Sequence, residues 1–138
     1  MKLTISYISI AAGILSGMKI NRMEDKRAKT SLLKDYLALR KVAKEAESDK
    51  NEIVSKFQDD WAEVLKSVQA FRDKNEPVVG YDDYLEAEKD ANKAIQEISS
   101  REKDIELAPV ELSAFNGVAD DLTLEQVAFL QEIGIIEE

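Results

Sequence analysis

Between Lys19 and Glu76 the chain contains neither glycine nor proline, and within that stretch apolar side chains recur at heptad spacing. Leu32, Tyr36, Leu39, Ala43, Ala46, Lys50, Ile53 and Phe57 follow one another at alternating steps of four and three, with Lys50 as the one charged member. That period places every member on one side of an α-helix, and no backbone breaker interrupts it. A helix from about Asp25 to Phe57 is therefore expected, roughly 50 Å long at 1.5 Å per residue. In a chain this short, such a helix serves as one arm of a hairpin. Past Phe57 the stripe changes phase to Trp61, Val64, Leu65, Val68 and Phe71, entered through Asp59-Asp60. A change of phase without a breaker predicts near-continuity, as one long helix or a kinked pair over residues 24–75.

The remaining elements follow from shorter signals. Asn75-Glu76-Pro77-Val78-Val79-Gly80 is the strongest loop signal and sets a loop at 76–82. Asp82 or Asp83 is expected to cap a second helix over 83–102, whose stripe is Tyr84, Ala87, Ala91, Ala94 and Ile98, widened by Leu85 and Ile95. Its alanines, with Ala43 and Ala46, let two antiparallel helices approach closely. At the start, Leu3, Ile5 and Tyr7 alternate as in a strand, and from Ile8 the spacing turns helical, with Ser6 as N-cap and an end near Gly17. Residues 1–23 thus read as a strand plus a short helix. A signal peptide is the other reading of MKLTISYISIAAGIL. However, Ala11 and Ala12 lie inside the apolar run and Ser16-Gly17 is a poor cleavage site.

Toward the C-terminus, residues 103–115 read as strand, with Asp104–Ala108 pairing Lys2–Tyr7 and Pro109 held to an edge or bend. Asn116-Gly117 reads as a turn. Thr123 and Gln126 fit a capping box that opens a closing helix over 123–134, with Leu124, Val127, Leu130 and Ile133 on one face and Gly134 as its C-cap. The fold class is mainly α (α+β). The expected architecture is an elongated antiparallel helical hairpin with a small two-stranded sheet and short helices at its base, in a single domain over 1–138.

Composition narrows the chemistry. The 138 residues include no cysteine and no histidine. Thiolate ligands, imidazole bases and Ser-His-Asp triads are thereby excluded. The acid pairs Asp59-Asp60, Asp82-Asp83 and Asp120-Asp121 lack the spacing of a calcium loop, and each precedes a predicted helix, where acids cap and complement the macrodipole. Glu86 and Asp90 lie one turn apart, but Glu88, Lys89 and Lys93 beside them make a solvated face the simpler account. Ser99-Ser100-Arg101-Glu102-Lys103 ends a helix without an oxyanion context. The five glycines, at 13, 17, 80, 117 and 134, form no phosphate loop. No catalytic residue, metal or cofactor is expected.

Charge is distributed unevenly. The net charge is −9, yet up to Lys44 there are ten basic residues and three acidic ones, while Asp104 to Glu138 holds nine acids and no base. Arg27, Lys34 and Lys41 fall seven apart, with Arg40 and Lys44 nearby, and make a basic stripe able to follow phosphates. Pairing of this stripe with the acids of Asp82–Glu97 across the hairpin explains it equally simply.

The order of a MKLTI strand, a short helix, a long Lys-rich helix, a loop, a second helix, a KDIEL strand and a closing LTLEQVAFLQEIG helix resembles small uncharacterised protein families encoded by tailed phages and prophages of gut bacteria. Leu3, Ile5, Leu32, Leu33, Ile105, Glu106, Leu107, Val110, Leu112 and Leu130 carry the match, which is mostly apolar spacing over most of the chain. Asp59 to Val79 fits that layout least. The resemblance implies a phage origin and brings no activity with it. The expectation is a non-enzymatic interaction or assembly protein, oligomeric, with a protein partner (itself, or a virion or host protein) and no membrane. It would act in the host cytoplasm or on the virion. Trp61, Leu65, Val68 and Phe71 are the expected contact surface. The alternatives are an acidic inhibitor that mimics nucleic acid toward a basic host protein, and nucleic-acid binding through Arg27, Lys34, Arg40, Lys41 and Lys44.

Overall fold

Thr4 decides how the chain begins. In the computed structural model its hydroxyl accepts a hydrogen bond from the Tyr7 N–H at 3.2 Å and caps α1 (Ile5–Ser16). The strand β1 (Lys2–Thr4) is therefore cut short of the expected Tyr7, and Ser6 is an exposed first-turn residue, not the cap. Ile5, Ile8, Ala11 and Leu15 form the buried face of α1, and Gly17 ends the helix. The structure describes residues 1–74 and 80–137, and for 69–74 the backbone alone. Most of the expected loop at 76–82 thus lies outside the described residues.

A short 3-10 turn (Ile20–Arg22) leads to Asp25, whose carboxylate accepts from the N–H groups of Arg27 and Ala28 and caps α2 (Lys26–Asp60). Every member of the heptad seam from Leu32 to Phe57 is buried or half-buried. Lys50, the polar exception, is half-buried, a burial that a lysine's long methylene stem allows. α3 (Ala62–Lys74) follows after Trp61 alone. The Trp61 N–H still reaches the Phe57 carbonyl at 3.1 Å, and the Leu65 N–H reaches that of Trp61 at 3.0 Å. Helical bonding therefore carries across the phase change, as the absence of a breaker predicts.

α4 (Tyr81–Ser100) starts two residues before the expected Asp83. Gly80 takes a positive φ of 79°, and its carbonyl accepts from the Tyr84 N–H. Asp82 and Asp83 consequently sit in the first turn, where they face the positive end of the macrodipole instead of capping it. Tyr84, Ala87, Ala91, Ala94 and Ile95 are half-buried and Ile98 buried, whereas Leu85 is exposed. Rings of Phe57 and Trp61 meet Tyr84 at centroid distances of 5.5 and 6.1 Å. The end of the first arm thus lies beside the start of the second, as an antiparallel hairpin requires.

β2 (Glu102–Asp104) pairs antiparallel with β1, Lys2 opposite Asp104 and Thr4 opposite Glu102. The partner is the expected one, but the ladder runs over Glu102–Asp104 and shares only Asp104 with the predicted Asp104–Ala108, and α1 leaves only three residues of β1 to pair. β3 (Val110–Glu111) pairs in parallel with β4 (Ile136–Glu137), a strand the apolar pattern did not announce. β4 is created by the end of α5 (Leu124–Glu132). There the Ile135 N–H bonds the Leu130 carbonyl, the Gly134 N–H bonds that of Gln131, and Gly134 takes a φ of 90°. These are the two bonds of a Schellman motif, and its usual apolar contact is supplied by fully buried Ile135 and Leu130. At its other end α5 carries the expected capping box of Thr123 and Gln126.

The predicted turn at Asn116-Gly117 lies inside a 3-10 helix of ten residues (Leu112–Asp121). Phe115 and Val118, three apart, are its buried residues, matching three residues per turn. Gly117 is required there, since a Cβ would overlap the Arg22 carbonyl. Overall the molecule is mainly α with small sheets, and its contacts gather into two compact units, 1–45 with 100–138, and 46–99.

Candidate functional site

In the first unit, α2 presents two faces of opposite character. Ala28, Leu32, Asp35 and Leu39, at steps of three and four, are buried. On the other side Leu33 is 45% exposed and Leu37 62% exposed, one turn apart. Arg40 and Lys44 continue their row, and Arg27, Lys34 and Lys41 run beside it, all exposed. Leu33 and Leu37 pass unnoticed in a reading that follows the seam alone. The signal for them was present, since the two leucines lie off the seam at their own four-residue step.

Asp35 explains why this outward face carries no negative charge. It is the sole carboxylate between Lys26 and Lys44, and it is 2% exposed. Its Oδ1 accepts from the Ala108 N–H at 2.7 Å, tying α2 to the segment between β2 and β3, while Oδ2 has no partner. Burial pushes this carboxyl up to about 6, against the smaller opposing pull of the Ala108 hydrogen bond. Its position three after Leu32 and four before Leu39 was the sequence sign that it faces inward.

Among the described residues, ion pairs join the Met1 ammonium to Asp104 and Arg22 to Asp121, and none involves Arg27, Lys34, Arg40, Lys41 or Lys44. Asp121 also accepts from the Lys19 N–H at 3.0 Å, so it braces the chain before α2 and does not cap α5. No group of three or more acids among the described residues is arranged to hold a metal ion. Glu86 and Asp90 are both exposed.

A second surface lies at the C-terminal end of the same unit. Leu112, Phe115, Leu122, Leu124, Val127 and Ile136 line an apolar groove of about 270 Å³ beside α5. Leu124, expected on the inward face of α5, is 90% exposed because it occupies the first helical position, one turn before the buried side begins. Across the 3-10 helix, Glu24, Asp25 and Glu111 line an open cavity of about 510 Å³.

Of the expected contact surface in the second unit, Trp61 is half-buried against Tyr84, Val68 is half-buried and Leu65 is exposed. The Phe71 side chain lies outside the described residues. The Tyr84 hydroxyl donates to Glu88 Oε2 at 3.0 Å, and burial together with that carboxylate pushes the phenol above its usual range. No helix among the described residues is long and apolar enough to cross a membrane. Comparison with family models, with curated proteins and with solved structures finds no match for this chain.

Proposed function

We propose that this is a non-enzymatic interaction or assembly protein, of the kind its layout resembles among tailed phages and prophages, and that it binds a protein partner through the outward face of α2. The observation that carries this reading is the pair Leu33 and Leu37, exposed in a row of cations that make no ion pair among the described residues. Apolar side chains at one-turn spacing are anchors for a helix-binding surface. The surrounding cations select an acidic partner and speed its approach. The site of action is the host cytoplasm or the virion.

The competing reading is nucleic-acid binding through the same stripe. Two leucines in the cationic row stand against it, because they would occupy the place of phosphate contacts. The test is affinity capture from host cells with the wild type and with Leu33→Glu/Leu37→Glu. Loss of the captured proteins in the variant supports the proposal, and recovery of the same set from both, with self-association of the chain equally unchanged, overturns it. DNA retention that disappears in Arg27→Glu/Lys34→Glu/Lys41→Glu but persists in the leucine variant would favour the competing reading.

A further inference from the structure

We infer that the apolar groove beside α5 receives the outward face of α2 from a second copy of this chain, so that the protein assembles with itself. This rests on the reading that the α2 face is a protein-binding surface. The groove exposes Leu124 and, at 52%, Leu112. Asn116 lines both this groove and the neighbouring cavity that carries Glu24, Asp25 and Glu111. The segment that builds the groove belongs to the stretch from Asp104 to Glu138, which has acids and no base. An occupant that satisfies both features presents apolar side chains one turn apart with cations beside them.

That description fits α2 from Lys26 to Lys44. Leu33 and Leu37 supply the apolar pair, Lys34, Arg40 and Lys41 supply the cations, and Asp35 is turned inward. The α2 of the same copy is not free to enter the groove. Its inward face is already held in the core by Leu32 and Leu39, and Asp35 is bonded to Ala108. The complementary surface must therefore come from another molecule. Each copy carries one face and one groove, so two copies related by a two-fold axis satisfy both, and a non-closing arrangement gives a chain of copies.

Sedimentation equilibrium of the full chain tests this. The wild type is expected to associate reversibly to at least twice its 15.5 kDa mass, more weakly as salt is raised. Leu37→Glu and Leu124→Glu change exposed side chains, and each is expected to weaken association about tenfold or more with an unchanged circular dichroism spectrum. Lys34→Glu/Lys41→Glu and Glu111→Lys should each weaken it as well. Combining the two sets should recover part of the loss, which no independent pair of defects does.

A wild type that stays monomeric overturns the inference, as does association that these variants leave unchanged. A monomeric wild type whose host partner is lost in Leu33→Glu/Leu37→Glu overturns the second-copy inference alone. Association and capture both untouched by that variant overturn the function reading too.

Discussion

The two units bury their side chains to very different depths. Apart from Ala46 and Ile98, every buried apolar side chain among the described residues belongs to the unit of 1–45 and 100–138. That unit closes its core from several directions. β1 pairs with β2, β3 with β4, and the 3-10 helices meet at Gly117 and Arg22. The unit of 46–99 has helices only, with a half-buried alanine seam and the ring cluster of Phe57, Trp61, Tyr81 and Tyr84. A helix stripe is shielded from water only as far as another layer covers it. Depth of burial, and with it the resistance to local opening, should therefore divide at the unit boundary.

The largest expected effect tests that division directly. Leu130→Ala, at a fully buried position, should cost about 3 kcal/mol by urea unfolding, whereas Ile53→Ala, half-buried in the second unit, should cost about 1 kcal/mol. Equal costs would break the comparison. Next comes a pair of glycine substitutions within the first unit. Gly117→Ala drives a methyl group into the Arg22 carbonyl and should destabilise by about 2 kcal/mol. Gly13→Ala meets open space in the interior of α1 and should stabilise by about 0.5–1 kcal/mol in the same assay. A gain at Gly117 would show that close approach does not govern that position.

How much of each unit is legible in the sequence follows the same divide. Among its described residues the helical unit is almost wholly legible, because the Ala46–Phe57 part of the seam, the unbroken passage through Trp61 and the Tyr84–Ile98 stripe are periodic over many residues. The first unit is legible where local chemistry decides, as at the Thr123–Gln126 box and Gly134. It is illegible where two-residue strands depend on distant partners. Ile135 and Ile136 show no alternation from which to read a strand, and only the Schellman turn delivers them to Val110. The 3-10 helix hid behind Asn116-Gly117, a dipeptide that ordinarily marks a turn. Of the candidate site, the basic stripe was legible as a charge pattern. Whether acids neutralise it depends on tertiary placement, which spacing does not encode.

Asp35 gives the first unit a pH response in the acid range. Its carboxyl is raised from an ordinary 3.8 to about 6 in the folded chain. Below the unfolded value both states are protonated. Between the two values the folded state holds a proton that the unfolded state releases. Stability is therefore full below about pH 4 and falls as pH rises to about 6, by about 1–3 kcal/mol in total, with no further change from this group above that. Asp35→Asn keeps an oxygen for the Ala108 N–H but cannot ionise. The variant should match the wild type near pH 4, exceed it by about 1–3 kcal/mol at pH 8, and lose the slope between. A slope that survives in Asp35→Asn would assign the response to other groups.

The smallest effect asks what holds the second unit where its burial is shallow. Tyr84 contributes both a ring and a hydroxyl. The ring meets Phe57, Trp61 and Tyr81, and the hydroxyl donates to Glu88 one turn along the same helix. A partly exposed bond within one helix is worth a few tenths of a kcal/mol, while each aromatic pair contributes about 0.5–1.5 kcal/mol beyond its area. Tyr84→Phe should therefore cost less than about 0.5 kcal/mol and leave Trp61 fluorescence near the wild-type value. Tyr84→Ala removes the ring between the two arms and should cost about 1–3 kcal/mol, with a red shift of Trp61 emission as water reaches the indole. A Phe variant as damaged as the Ala variant would mean that the hydroxyl's bond to Glu88, not ring packing, carries the contribution of Tyr84. The shallow seam would then be the weaker of two supports in that unit.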